Sequence, residues 1–152
     1  MFRGAHSVSL DSKGRLAIPT KYRALLHADN DGHMVCTVDL QQRCLLLYSL
    51  SEWQEIEARL LKLSNMNVSE RRVQRVLLGN AMDCQIDKNG RILLSSPLRE
   101  HAGLSKKIML VGQLNKFELW DEQTWHEQMK LDIEQEQAGD FELSDGLKDF
   151  SF

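Results

Sequence analysis

One stretch of this chain occurs twice. Asp11-Ser12-Lys13-Gly14-Arg15-Leu16-Ala17-Ile18 returns 76 residues later as Asp87-Lys88-Asn89-Gly90-Arg91-Ile92-Leu93-Leu94. Thr20 then aligns with Ser96, and Arg23 with Arg99. Further on, Leu47-Tyr48 and Trp53 align with Leu119-Trp120 and Trp125 at an offset of 72. The difference falls between Arg23 and Met34, where Asp29-Asn30-Asp31-Gly32 reads as a loop that is shorter in the second copy. A length change confined to a loop is what a duplicated unit shows. The repeat predicts two versions of one small supersecondary unit, neither large enough to bury much core alone.

Each unit reads as strands around a tight turn. Val8 and Leu10 alternate with Ser7 and Ser9, the pattern of a half-buried strand. Leu16 and Ile18 resume it after a three-residue loop, Ser12-Lys13-Gly14, in which Gly14 takes the position needing positive φ. In that register Leu10 shares a side with Leu16, and Asp11 lies opposite Arg15 on the outer face. Pro19 opens a short helix over Lys21 to Leu26, and strands follow near Met34–Val38 and Cys44–Tyr48. The second copy supplies strands around Ala81–Ile86, Arg91–Leu94, Ile108–Val111 and Lys116–Trp120.

Helices join and follow the units. Ser49-x-x-Glu52 is a capping box ahead of a stripe of Trp53, Ile56, Leu60 and Leu63. Asn67-x-x-Glu70 is a second, with Val73, Val76 and Leu77 apolar and Gly79 as a stop. A third helix runs from about Asp121 past Trp125, Met129 and Ile133. The aromatic stripes at Trp53 and Trp125 suit packing between units or subunits, and none reads as a cofactor box.

Enzyme signatures are lacking. There is no P-loop, no dinucleotide fingerprint, no H-E-x-x-H and no G-x-S-x-G. His6, His27, His33, His101 and His126 stand far apart, and none has a Cys or His partner at metal-ligand spacing. Cys36, Cys44 and Cys84 form no C-x-x-C pair and sit in apolar strand contexts. These features predict a protein that is not an enzyme and takes no cofactor or metal. The polar N-terminus and short apolar runs predict no signal peptide and no membrane span, hence a reduced, cytoplasmic setting.

Charge is unevenly placed. Residues 121–152 hold ten acids against Lys130 and Lys148, or −8, which leaves +5 on residues 1–120 of a chain with net charge −3. In the first 25 residues Arg3, Lys13, Arg15, Lys21 and Arg23 oppose only Asp11. A basic head and body with an acidic tail is compatible with a polyanionic partner or with scattered solvated charge. The Asp-x-x-Gly-Arg hairpin sharpens the choice, since adding the glycine leaves only the two repeat-related copies; Asp39…Arg43 has the bare spacing without it. Such a pair is either a structural cross-strand ion pair or an arginine held for phosphate or a guanine edge.

Longer segments carry a resemblance. Met1-Phe-Arg-Gly4, Leu10-Asp-Ser-Lys-Gly-Arg-Leu-Ala-Ile-Pro19, Cys44-Leu-Leu-Leu-Tyr48 and Glu70-Arg-Arg-Val-Gln-Arg75 resemble the MraZ family of bacterial transcriptional regulators. So do Asp87-x-x-Gly-Arg91 and Val111-Gly-Gln-x-Asn-Lys-Phe-Glu-Leu-Trp120. The resemblance implies a mainly β fold with connecting helices: an AbrB-like (SpoVT-AbrB) swapped-hairpin double-split β-barrel built by internal duplication. It places one unit at 5–52, a helical connector at 53–80, a second unit at 81–124, and a C-terminal helix with an acidic tail at 125–152. It implies ring-shaped homo-oligomers on the nucleoid that bind double-stranded promoter DNA at short G-rich direct repeats. They would repress the division and cell-wall gene cluster containing their own gene. Arg15 would read guanine, Asp11 would orient it, and Lys13, Arg3 and Arg23 would meet phosphates. Asp87 and Arg91 form the second copy, where Ser95 stands in place of Pro19 and Asp83 and Glu100 dilute the positive charge. The first copy is therefore expected to be the DNA-reading hairpin, with Arg91 either a second DNA contact or structural. The rival is an oligomeric, antitoxin-like interaction module that acts through its acidic tail.

Overall fold

The computed structural model describes residues 1–139 and 142–150. It divides into two compact units, Met1–Glu122 and Gln123–Phe152. In the first, strands β1 (Phe2–Ser9), β2 (Arg15–Ala17), β3 (His33–Val38) and β4 (Leu45–Ser49) come from the first repeat. Strands β5 (Met82–Gln85), β6 (Arg91–Leu93), β7 (Lys107–Leu114) and β8 (Phe117–Asp121) come from the second. Six of them form an antiparallel sheet in the order β1-β7-β8-β4-β3-β5, and β2 pairs with β6 in a separate ribbon. Exchanging the repeats, β1 for β5 and so on, turns that sheet order into its own reverse. The duplication in the sequence is therefore an approximate twofold axis in the fold, passing between β4 and β8.

The repeats interleave. Each Asp-x-x-Gly-Arg hairpin was expected to join two strands of its own unit, and at its base it does, through the single bridge Leu10↔Leu16. Beyond that bridge the strands part. β1 pairs with β7 of the other repeat along eight residues, Phe2↔Leu114 to Ser9↔Lys107, while β2 pairs with β6. β1 is also longer than its alternation suggests, because the exposed edge residues Arg3, Gly4 and Ala5 are held by backbone pairing with β7 and by the Tyr22 hydroxyl, which donates to the Arg3 carbonyl. Helices contain more residues than strands, yet the core is the sheet, with connecting helices laid on it.

One face of the sheet meets the ribbon. Met34, Cys36, Val38, Leu45, Leu47, Ile108, Leu110, Phe117 and Leu119 pack with Leu16, Ile18, Ile92 and Leu94. Helices α1 (Thr20–Ala28) and α4 (Ser96–Ala102) close this core with Tyr22, Leu26, Leu98 and Ala102. On the other face Val35, Leu46 and Tyr48 receive Trp53 of α2 (Leu50–Leu60). Trp53 is thus packed against the chain's own sheet, its ring 5.9 Å from that of Tyr48, while Ile56 and Leu63 of the same stripe are half-buried. Both expected caps form, the Ser49 side chain accepting from the Glu52 N–H and that of Asn67 from the Glu70 N–H at the start of α3 (Val68–Gly79). Gly79 ends α3 without a left-handed turn, and Asn80 is the C-cap. α3 is tied down by Thr37, whose hydroxyl donates to the Leu77 carbonyl (2.7 Å), and by Gln74, whose amide donates to that of Leu60 (2.9 Å).

The second unit holds α5, which begins at Glu122 and runs to Ala138, and α6 (Asp145–Lys148). The expected C-terminal helix is α5; tail residues 140, 141, 151 and 152 lie outside the described residues. All three cysteines are buried and unpaired in disulfides, and burial pushes the Cys84 thiol up to about 12. Among the described residues no helix is long and apolar enough to cross a membrane.

Candidate nucleic-acid interface

The ribbon is where the repeated motif sits, and its register sets which side chains share a face. Arg15 lies opposite Leu93, Leu16 opposite Ile92 and Ala17 opposite Arg91. Side chains alternate along a strand, so Leu16 and Ile92 (each 1% exposed) point into the core. Arg15, Ala17, Arg91 and Leu93 form the outer face, with Leu93 58% exposed. The two arginines of the motif, 76 residues apart, thus stand diagonally across one two-stranded surface.

Each arginine is framed by its own loop. The Asp11 N–H donates to the Arg15 carbonyl (2.9 Å) and the Gly14 N–H to that of Asp11 (3.0 Å). One oxygen of Asp11 accepts the backbone N–H groups of Lys13 and Arg15, both at 2.9 Å. The other accepts Arg15 Nε at 2.9 Å. The Arg15 N–H, joined by its guanidinium and the Lys13 N–H, holds the Asp11 carboxyl below its usual range against the opposing cost of desolvation. Asp87 repeats the loop, accepting from Asn89 (2.8 Å) and Arg91 (3.0 Å), and its carboxyl is lowered chiefly by the Arg91 N–H. The Arg15 charge contributes to that lowering, so the two hairpins share one electrostatic field. They differ in one respect. Arg91 Nε stands 3.7 Å from Asp87, an ion pair beyond hydrogen-bonding distance, and is buried without a hydrogen-bond partner. Arg15 is the more tightly held.

Gly14 and Gly90 take φ of +85° and +76°, and each receives an arginine from the other repeat. A Cβ on Gly14 would meet Arg99 Nε at 2.8 Å and the Leu94 carbonyl at 2.9 Å, and one on Gly90 would collide with Arg23. Those arginines are themselves fixed, Arg23 Nε donating to the Ile18 carbonyl (2.7 Å) and Arg99 Nε to that of Leu94 (3.2 Å). Gly14→Ala is therefore expected to destabilise the chain by about 1–2 kcal/mol, since it adds left-handed strain to a displaced guanidinium. Gly79→Ala, with nothing within 4 Å, is the control and is expected to stabilise slightly. Urea midpoints of the two variants check this; equal shifts would refute the packing role.

Six of the seven residues singled out from the sequence converge here. Asp11, Arg15, Asp87 and Arg91 form the ribbon face, Lys13 is exposed at one loop tip, and Arg23 lies against the other loop. Arg3 does not join them. It is exposed near the start of β1, opposite Gln113, seven residues before the bridge at Leu10 and so roughly 23 Å along an extended strand. The structure adds residues that sequence reasoning passed over. Lys88 is exposed at the second loop tip, Arg99 is the partner of Gly14, and Lys106 and Lys107 line a groove with Asp11, Ser12 and Arg99. Lys88 and Arg99 were signalled by their places in the repeat; the lysines were not, because only β1–β7 pairing brings them near. Four arginines and two lysines around the loops face two aspartates, a local excess of four positive charges.

Comparison with known proteins follows the same outline. The family described as "MraZ protein, putative antitoxin-like" matches residues 1–76 and again 77–142. A protein named transcriptional regulator MraZ from Idiomarina loihiensis is 65% identical over 151 residues, covering 99% of each chain. Proteins of the same name from Serratia proteamaculans and Yersinia enterocolitica are 62% and 61% identical at the same coverage. With two matched segments that span both repeats and relatives of this identity along nearly the whole length, the chain belongs to the MraZ family.

Proposed function

We propose that this chain is a sequence-specific DNA-binding transcriptional regulator acting in the cytoplasm on the nucleoid. It assembles with copies of itself into a ring and represses its own promoter, and with it the division and cell-wall gene cluster, by binding short G-rich direct repeats. The observation that carries the reading is the pair of aspartate-framed arginines on one exposed face of a two-stranded antiparallel ribbon. The major groove of B-DNA admits such a ribbon, and arginine is the residue that pairs in bidentate fashion with guanine O6 and N7. With Nε engaged by Asp11, the two terminal nitrogens of Arg15 remain available as a fork on a tethered side chain. Arg91 is its looser counterpart, and Ala17 and Leu93 supply apolar surface between them. Lys13 and Lys88 at the loop tips, with Lys106 and Lys107 behind, suit the flanking phosphates. The relatives' name, transcriptional regulator, agrees with this chemistry. A ring multiplies contacts of modest strength, because linked sites rebind at high effective concentration.

A gel-shift assay with the DNA upstream of the chain's own gene tests the reading. Log affinity is expected to fall linearly with log salt, at a slope of about −0.9 for each neutralised phosphate. Lys13→Ala should make the slope shallower while sequence preference persists. Binding that ignores salt, or that does not distinguish upstream DNA from random duplex, would refute it.

A further inference from the structure

The arginines of Glu70-Arg-Arg-Val-Gln-Arg75 have no part in the DNA face. α3 is held through Thr37, which lies on the Trp53 side of β3, and through the end of α2, with Val76 packed against the ribbon-side core; its arginines are not among the residues that surround Arg15 and Arg91. Its residues sort cleanly around the helix. Val73, Gln74, Val76 and Leu77 are half-buried, while Val68, Arg71, Arg72, Arg75 and Leu78 are exposed. The exposed set has the i, i+3, i+4, i+7, i+10 spacing of a single face. Glu70 is on the far side, and among the described residues no acid pairs with any of these arginines. Three guanidinium groups flanked by two exposed aliphatic side chains make a basic, partly apolar helix face that, among the described residues, has no acidic partner.

A complementary element exists in the same sequence. Every residue of α5 from Leu131 to Ala138 is exposed. This stretch has Asp132, Glu134 and Glu136, no basic residue, and Leu131 and Ile133 at 60% and 47% exposure. Most helix stability in proteins comes from burying one face, and this stretch buries little. Asp132 and Glu136, four residues apart, share one side of this helix with Glu134 on the other, so the stretch is acidic all round and complements the three arginines in charge.

We propose that the exposed face of α3 is a docking surface for the acidic end of α5 from a second copy of this chain. The contact is heterologous, joining different patches of successive subunits, and such contacts propagate into a ring when the rotation closes. It would leave the ribbon of every subunit free for DNA. The inference rests on the self-assembly part of the reading above and is independent of the DNA part.

Charge reversal with rescue tests it. The variant Arg71→Glu/Arg72→Glu/Arg75→Glu and the variant Asp132→Lys/Glu134→Lys/Glu136→Lys should each fall to a smaller mass in light scattering, at concentrations where the unaltered chain is assembled. Mixed in equal amounts, they should regain the assembled mass, since both alternating contacts then join opposite charges. A duplex with a single repeat should bind the arginine-reversed subunit within about threefold of an unaltered subunit. Either variant keeping full mass alone, or a mixture that stays dissociated, overturns the proposal while leaving ring assembly intact. An unaltered chain with the mass of one subunit overturns both. Should reversal disturb folding, Arg72→Lys keeps the charge, and zero-length carbodiimide should join position 72 to residues 132–136 between isotopically light and heavy copies. Crosslinks confined to one copy, or none, count against it.

Discussion

Arg15→Ala is expected to weaken promoter binding by about 1–3 kcal/mol for every subunit engaged, the cost of one lost bidentate arginine–guanine contact. That is roughly a factor of five to over a hundred, and more when several subunits of a ring bind together. The size follows from pre-organisation. Asp11 accepts three hydrogen bonds from its own loop, including one from Arg15 Nε, so little side-chain freedom is left to lose on binding. Arg91→Ala should cost less, because Arg91 Nε is 3.7 Å from Asp87 and its fork is not held in the same way. Fluorescence anisotropy with labelled upstream DNA, on variants of unchanged mass and melting temperature, gives the ranking. Normal binding by Arg15→Ala would sink the guanine-reading role, and a larger loss at Arg91 would assign the leading contact to the second repeat.

Phe117→Ala should produce the largest loss of stability, about 3–5 kcal/mol, as buried phenylalanine truncations do. Phe117 is fully buried in β8, opposite Gly112 of β7 and Leu47 of β4. Its ring stacks on Phe2 at 4.2 Å and meets the edge of Tyr22 at 5.1 Å. It therefore joins the first residue of β1, the helix α1 and the middle of the sheet, elements from both repeats. The Tyr22 hydroxyl donates to the Arg3 carbonyl at 2.8 Å, so loosening Tyr22 also loosens the start of β1. Equilibrium urea unfolding measures the effect. A loss below about 1 kcal/mol would mean that the repeats are held together elsewhere.

Whatever closes within a few residues was legible in the sequence. The Asp11–Arg15 and Asp87–Arg91 loops, with glycine at positive φ, are built from hydrogen bonds spanning four positions or fewer. The same holds for the caps at Ser49 and Asn67. Alternation identified Leu16 as facing the core and Asp11 and Arg15 as outer, because side-chain direction in a strand is a local property. Which strand lies beside which is not. An alternating pattern tells which face is apolar and is silent about the partner, so the pairing of β2 with β6 and of β1 with β7 appeared only in three dimensions. That pairing decided most of the candidate site. It set Arg15 and Arg91 on one face, where the sequence had suggested two separate hairpins of unequal worth. It brought Lys106 and Lys107 to the Asp11 loop and left Arg3 near the far end of β1. It also drew Trp53 into the chain's own core, since an amphipathic stripe shows that a helix must bury a face without showing against what. Local geometry determined the shape of each arginine clip. The burial of two incomplete units against each other, which neither could achieve alone, decided that the clips would stand side by side.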